Sequence, residues 1–219
     1  MINYLQRAPL FSGLTHDQLQ TVASASSRRV YPAGTLLFRE KEHGSTLFIV
    51  VSGSVKIFTT GTSGSEKILS VFHSGDCFGE LSLIDGKPRS ASAQTLEDSS
   101  LILLKGDDFL HVLQANFDIS LSIMRELSSR LRDTNQHIHD LTFLDARTLV
   151  IKSLIRLANK GGSRQGTQIS FKTSLNYDEL SDLAGVSKSA LMEVIRDLEE
   201  RAILKPGLNE FTLDLTKLR

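Results

Sequence analysis

The chain has 219 residues, 25 Lys and Arg against 25 Asp and Glu, and a single cysteine. That length suffices for one large domain or two modest ones, each with its own core. A lone Cys77 excludes an internal disulfide framework and any four-cysteine zinc or iron–sulfur centre within one chain.

The zero net charge is unevenly spread. From Arg147 onward there are twelve Lys and Arg against nine Asp and Glu, and before it thirteen against sixteen. A mildly basic second part permits a nucleic-acid partner without demanding one. Met1 to Leu10 carries no charged segment followed by an apolar one, and no apolar run approaches membrane-spanning length. A soluble cytoplasmic protein without a membrane partner is expected, and Cys77 reads as a buried small hydrophobe rather than a redox sensor.

Leu10 to Leu14, followed by Asp17 to Ala25, reads as short helices with a loop at Gly13. Between Arg28 and Leu104 the texture changes to short β-rich runs: Leu36–Phe38, Leu47–Val51, Val55–Phe58 and Ile68–Val71. Turn signals separate them at Pro32–Gly34, Ser52–Ser54, Gly61–Ser65 and Ser74–Asp76. Regularly spaced short strands with glycine turns predict an antiparallel barrel or jelly roll.

One segment interrupts that pattern. Phe78 to Ala93 runs Phe-Gly-Glu-Leu-Ser-Leu-Ile-Asp-Gly-Lys-Pro-Arg-Ser-Ala-Ser-Ala. Gly79 lets backbone approach a ligand closely, and Glu80 beside Leu81 can accept from sugar hydroxyls. Arg89 offers a planar fork to two phosphate oxygens, and Ser90 with nearby N–H groups can complete an anion nest. A ribose joined to one phosphate suits this set. A plain internal ion pair between Glu80 and Arg89 is the competing reading.

After Lys105 the pattern turns helical. Met124, Leu127, Leu131, Thr134, Ile138 and Leu141 alternate spacings of three and four, a seam for a partner helix, most simply that of a second subunit. Thr134 is the polar intruder. Either it fixes register, or with Asn135 it faces a base at the seam, since a hydroxyl and an amide offer donors and acceptors. His137 and His139, two residues apart, cannot share a helix face as a zinc pair. No serine or cysteine lies in a nucleophile motif, so neither a metal site nor an enzyme is expected.

Past a hinge near Phe143–Asp145, Ala146 to Asn159 is amphipathic and ends at Lys160-Gly161-Gly162. A strand is expected at Gln168–Phe171. Asn176 to Ser187 reads as a helix, a turn at Gly185 held by Val186, and an N-cap at Ser187 opening a helix from Lys188 to Arg201. Leu204–Gly207 and Phe211–Leu213 would form a hairpin wing.

The Phe78–Ala93 segment closely resembles the phosphate-binding cassette of the cyclic-AMP receptor/fumarate-nitrate regulator family. Arg130-Leu131-Arg132-Asp133-Thr134-Asn135 and Asp140 to Asp145 resemble its central helix and hinge. The resemblance implies an α+β fold: a cyclic-nucleotide-binding β-roll (1–115), a dimerisation helix and hinge (116–145), and a winged helix-turn-helix (146–219). It implies cyclic AMP, rather than cyclic GMP, bound by Gly79, Glu80, Leu81, Arg89, Ser90, Thr134 and Asn135, with no covalent cofactor. It further implies a bacterial allosteric homodimer, with double-stranded DNA and RNA polymerase as partners and Ser187, Lys188, Ser189, Glu193 and Arg196 toward DNA. The familiar recognition helix presents Arg-Glu near its start and an Arg one turn later, where this chain has Lys188-Ser189 and Met192-Glu193. Lys188 can still contact guanine or phosphate, and Glu193 can accept from cytosine. A sensor acting through a protein partner, with a degenerate DNA head, and a family regulator with another effector or none are the rival readings.

Overall fold

The structure, a computed structural model, describes residues 1–8, 11, 13–62, 64–207 and 210–217. Leu10 and Ser12 of the expected first short helix, Ser63 of an expected turn, and residues 208–209 of the expected wing lie outside them. The chain forms two compact units, Met1–Thr134 and Asn135–Arg219.

The first unit opens with helices α1 (Ile2–Arg7) and α2 (His16–Ser24). Thr15 caps α2 in a capping box with Gln18. Two four-stranded antiparallel sheets follow. One runs β1 (Ser26–Tyr31), β8 (Ser99–Lys105), β3 (Thr46–Ser52), β6 (Cys77–Phe78). The other runs β2 (Leu36–Phe38), β7 (Ser92–Thr95), β4 (Val55–Thr60), β5 (Glu66–Phe72). This is the jelly-roll arrangement expected from the strand spacing.

β3 is apolar almost throughout because both of its faces are covered. Leu47 and Ile49 join Ile102 and Leu104 of β8 in a core with Phe11, Leu19 and Val22, and with Phe109 and Val112 of α4 (Gly106–Ala115). Phe48 and Val50 point the other way, into a second core with Val55, Phe72, Phe78 and Leu101. Side chains alternate across a strand, so one strand feeds two cores.

Helix α5 spans Phe117–Phe143, and the division between the units falls within it. Met124, Leu131 and Ile138, seven residues apart, are 50%, 62% and 57% exposed. Leu127 departs from that seam: it is half-buried against the helix-side core of the first unit.

In the second unit, α6 (Ala146–Gly161) starts at Asp145, whose carboxylate accepts from Thr148 N. It runs two residues past Asn159, and the chain leaves it at Gly162. Asp140 is buried, accepting from Gln136 at 2.9 Å and from Lys152 of α6 at 2.7 Å. A four-stranded antiparallel sheet orders β11 (Leu204–Pro206), β12 (Glu210–Asp214), β10 (Gln168–Lys172) and β9 (Ser163–Gln165). Beside it, α7 (Tyr177–Ala184) and α8 (Lys188–Glu200) form the helix pair, α8 ending one residue before the expected Arg201.

Candidate functional site

The interrupting segment folds as its residues dictate. Gly79 has φ +84°, and a Cβ there would stand 2.6 Å from Arg89 Nη1. Short helix α3 (Leu81–Asp85) follows and ends at Gly86 in the left-handed region. Backbone bonds then fix residue 89: its N–H donates to Glu42 O, and its carbonyl accepts from Lys41 N–H, both at 2.8 Å.

The Arg89 side chain turns inward and is buried. Nη1 donates to Gly79 O at 2.6 Å and to Ser82 Oγ at 2.9 Å, and Nη2 to Thr46 O at 2.7 Å. The guanidinium lies 4.2 Å from the Phe38 ring centroid. Gly44 packs against the guanidinium at Nε and Cζ, where any Cβ would overlap it. Burial pulls the guanidinium below its ordinary value, opposed by Glu80 and Glu42. Among the described residues, Arg89 Nε is buried and has no hydrogen-bond partner.

Glu80 does not form the ion pair with Arg89 that the sequence left open. Its carboxylate accepts from Arg130 Nη1 of α5 at 3.0 Å, while Arg130 Nη2 donates to Cys77 O at 2.7 Å. Arg130 Nε donates to Glu126 at 2.9 Å, and the guanidinium stands 4.8 Å from the Phe72 ring centroid. Burial pushes the Glu80 carboxyl above the ordinary carboxylate value against the pull of Arg130. Burial would lower Arg130, but Glu80 and Glu126 outweigh it and raise it. Cys77 is buried, its thiol pushed up to about 12 chiefly by desolvation.

A pocket of about 100 Å3 lies here, with Gly79, Glu80, Ser82, Arg89, Ser90 and Arg130 on its polar side and Leu81 also lining it. Phe38, Ile57, Phe72 and Phe78 supply the apolar side. Ser90 is exposed at the rim. Thr134 and Asn135 are exposed on α5 and are not among the lining residues. The Thr134 hydroxyl donates to Arg130 O at 2.8 Å, leaving its lone pairs free to accept. Among the lining residues that the sequence-predicted site lacked, Ser82 and the aromatic wall included, Arg130 is the charged one.

In the second unit, Asn176 and Glu179 close a capping box on α7, and Gly185 turns the chain at φ +75°. Val186 is only half-buried, and Leu183, Ala184 and Leu191 are the fully buried residues around the turn. Ser187 caps α8 by accepting from Ala190 N. Along α8, Ser189, Glu193 and Arg196 are exposed on the face opposite buried Leu191, Val194, Ile195 and Leu198, while Lys188 is exposed at the first position of the helix, on the edge nearer Leu191 and Ile195.

A family model described as cyclic nucleotide-binding domain matches residues 28–116. The cyclic AMP receptor protein of Thermus thermophilus is 32% identical over 203 residues, covering 93% of this chain and 91% of that protein. The chain belongs to the cyclic-AMP receptor/fumarate-nitrate regulator family. A CRP-like cAMP-activated global transcriptional regulator of Mycobacterium tuberculosis is 30% identical over 205 residues, covering 94% and 92% of the two chains. The c-di-GMP responsive global regulator CLP of Xanthomonas campestris superposes with a TM-score of 0.75 at 25% identity, covering 91% and 99%.

Membership in the CRP/FNR family agrees with the resemblance read from the cassette and central helix, and the α+β fold agrees with the strand and helix order. The protein is a CRP-like transcriptional regulator with a cyclic nucleotide-binding domain. Among the described residues, no group of three or more His, Cys, Asp or Glu could hold a metal ion, and no helix is long and apolar enough to cross a membrane.

Proposed function

We propose that this regulator is a homodimer switched by a cyclic nucleotide, cyclic AMP in preference to cyclic GMP, and that it acts by binding double-stranded DNA. The observation that carries the reading is the meeting of Arg89, a buried guanidinium whose Nε has no hydrogen-bond partner among the described residues, with the Glu80 carboxylate in the lining of one pocket. A guanidinium with spare donors suits phosphate, and a carboxylate suits ribose hydroxyls. In this reading Arg89 and Ser90 take the phosphate, Glu80 the ribose, Gly79 and Leu81 the close backbone approach, and Thr134 with Asn135 the adenine.

The exposed apolar residues of α5 support a dimer through that helix, since such a seam is stable only when covered. The working parts are the sensor at 1–115, the dimerisation helix and hinge at 116–145, and the DNA head at 146–219, with RNA polymerase a further partner. Nucleotide shifts the head only through its differential affinity for two arrangements of the dimer.

Calorimetry with cyclic AMP, cyclic GMP and c-di-GMP, followed by gel shift on genomic fragments with and without the bound nucleotide, tests the reading. Tight cyclic AMP binding that enhances a shift supports it. Preference for c-di-GMP, the effector named for the Xanthomonas regulator, would overturn the one-phosphate assignment. Nucleotide binding with no DNA shift would favour a sensor with a protein partner.

A further inference from the structure

Lys188, the first residue of α8, holds its ammonium 2.9 Å from the carboxylate of Asp178 in the first turn of α7. The two side chains are 56% and 67% exposed, so the pair lies on the surface. Asp178 is set apart from its neighbour by the fold: Glu179 turns back to accept from Asn176 N–H in the capping box, while Asp178 reaches ten residues ahead to the next helix. Glu193, Arg196 and Glu200 are also exposed on α8, and with Asp178 and Lys188 they make two positive groups and three negative ones.

A face without excess positive charge is unusual equipment for binding a polyanion. Sequence-independent affinity for DNA comes from cations that neutralise phosphates and release counterions, whereas base edges in the major groove are uncharged. An ammonium paired with a carboxylate gains little from a phosphate, because the carboxylate repels what the ammonium attracts. The same pair can still place an N–H donor on a guanine edge.

Resting on the reading of α8 as the recognition helix, we propose that Asp178 is a specificity-determining residue. By holding Lys188 it withholds that charge from the DNA backbone and leaves it for a base edge, lowering affinity for arbitrary sequence more than for the operator.

The test measures nucleotide-saturated wild type and Asp178→Asn against a random duplex and a selected operator across a salt series. The variant is expected to bind random duplex about three- to tenfold more tightly, with the slope of log K against log salt steeper by about one, and to show a smaller operator-to-random ratio. Adding Lys188→Ala to Asp178→Asn should return the slope to the wild-type value. An unchanged slope and ratio, or weaker binding to both duplexes, would overturn the assignment; weaker binding would make Asp178 a support for Lys188. Wild type that binds neither duplex would overturn the DNA-binding reading itself, an outcome visible before any variant is made.

Discussion

Arg130 of the long helix donates to Glu80 of the cassette at 3.0 Å, and through its second nitrogen to the Cys77 carbonyl at 2.7 Å. One guanidinium thus couples α5 to both the pocket carboxylate and the strand that precedes it. Glu80 is mostly withdrawn from water, so its charge depends on that partner. Arg130→Ala should destabilise the first unit by about 3 kcal/mol, because it leaves a buried carboxylate unpaired. Urea denaturation measures the loss, and a midpoint within error of wild type would contradict it.

The same carboxylate has a pH signature. Burial raises the Glu80 carboxyl, so between its ordinary value near about 4.3 and the raised one the folded protein keeps a proton that the unfolded chain has released. Stability contributed by this group is therefore greatest below that window and falls as pH rises through it. Glu80→Gln removes the slope. Followed upward from about pH 4, the wild-type denaturation midpoint should fall relative to that of Glu80→Gln, and parallel curves would exclude the effect.

Arg89→Ala should weaken nucleotide binding at least about tenfold, since each lost charge-assisted bond is worth roughly 1.5–3 kcal/mol. Arg89→Lys should rescue little, because a single ammonium cannot hold Gly79 O, Thr46 O and a phosphate from one plane. Calorimetry on both variants is the measurement, with affinity equal to wild type the opposing result.

Leu131 is 62% exposed in the middle of the apolar seam. In a parallel dimer Leu131→Glu would oppose two carboxylates near the axis and should give monomers. Sedimentation at micromolar concentration decides this, and a monomeric wild type would contradict the proposed assembly.

Asp140 gives the second unit the opposite acid response. The hydrogen bond from Lys152 holds its carboxyl below the ordinary value, so its contribution is present above about pH 3.9 and is lost as pH falls through the lowered value. Lys152→Met should cost about 1–2 kcal/mol at neutral pH. That difference should shrink toward zero in acid, read by denaturation of both proteins at each pH.

The sequence was most legible where burial and turn chemistry agree. The runs at Leu36, Leu47, Val55 and Ile68 correspond to β2 to β5, and Asn176, Gly185 and Ser187 mark the caps and turn of the helix pair. β1 was harder to see because four of its six residues, Ser27 to Val30, face solvent, and β7 because Ser-Ala-Gln-Thr has little apolar signal despite its burial. Arg130 was hidden by its own neighbour: four residues after Glu126, it looks like one half of an ordinary surface helix pair. Leu127 fits the heptad as well as Leu131 does, and only its packing against the first unit separates them.

The burial of Cys77 makes it a clock. The thiol is the only one in the chain, has almost no thiolate at neutral pH, and lies on β6, which is paired to β3 through Phe48 and Ile49. An alkylating reagent should react with it chiefly when that short strand, whose Phe78 lines the pocket, detaches, so labelling rate follows openings of the pocket wall. A ligand that closes the wall should slow the chemistry at a residue it never touches.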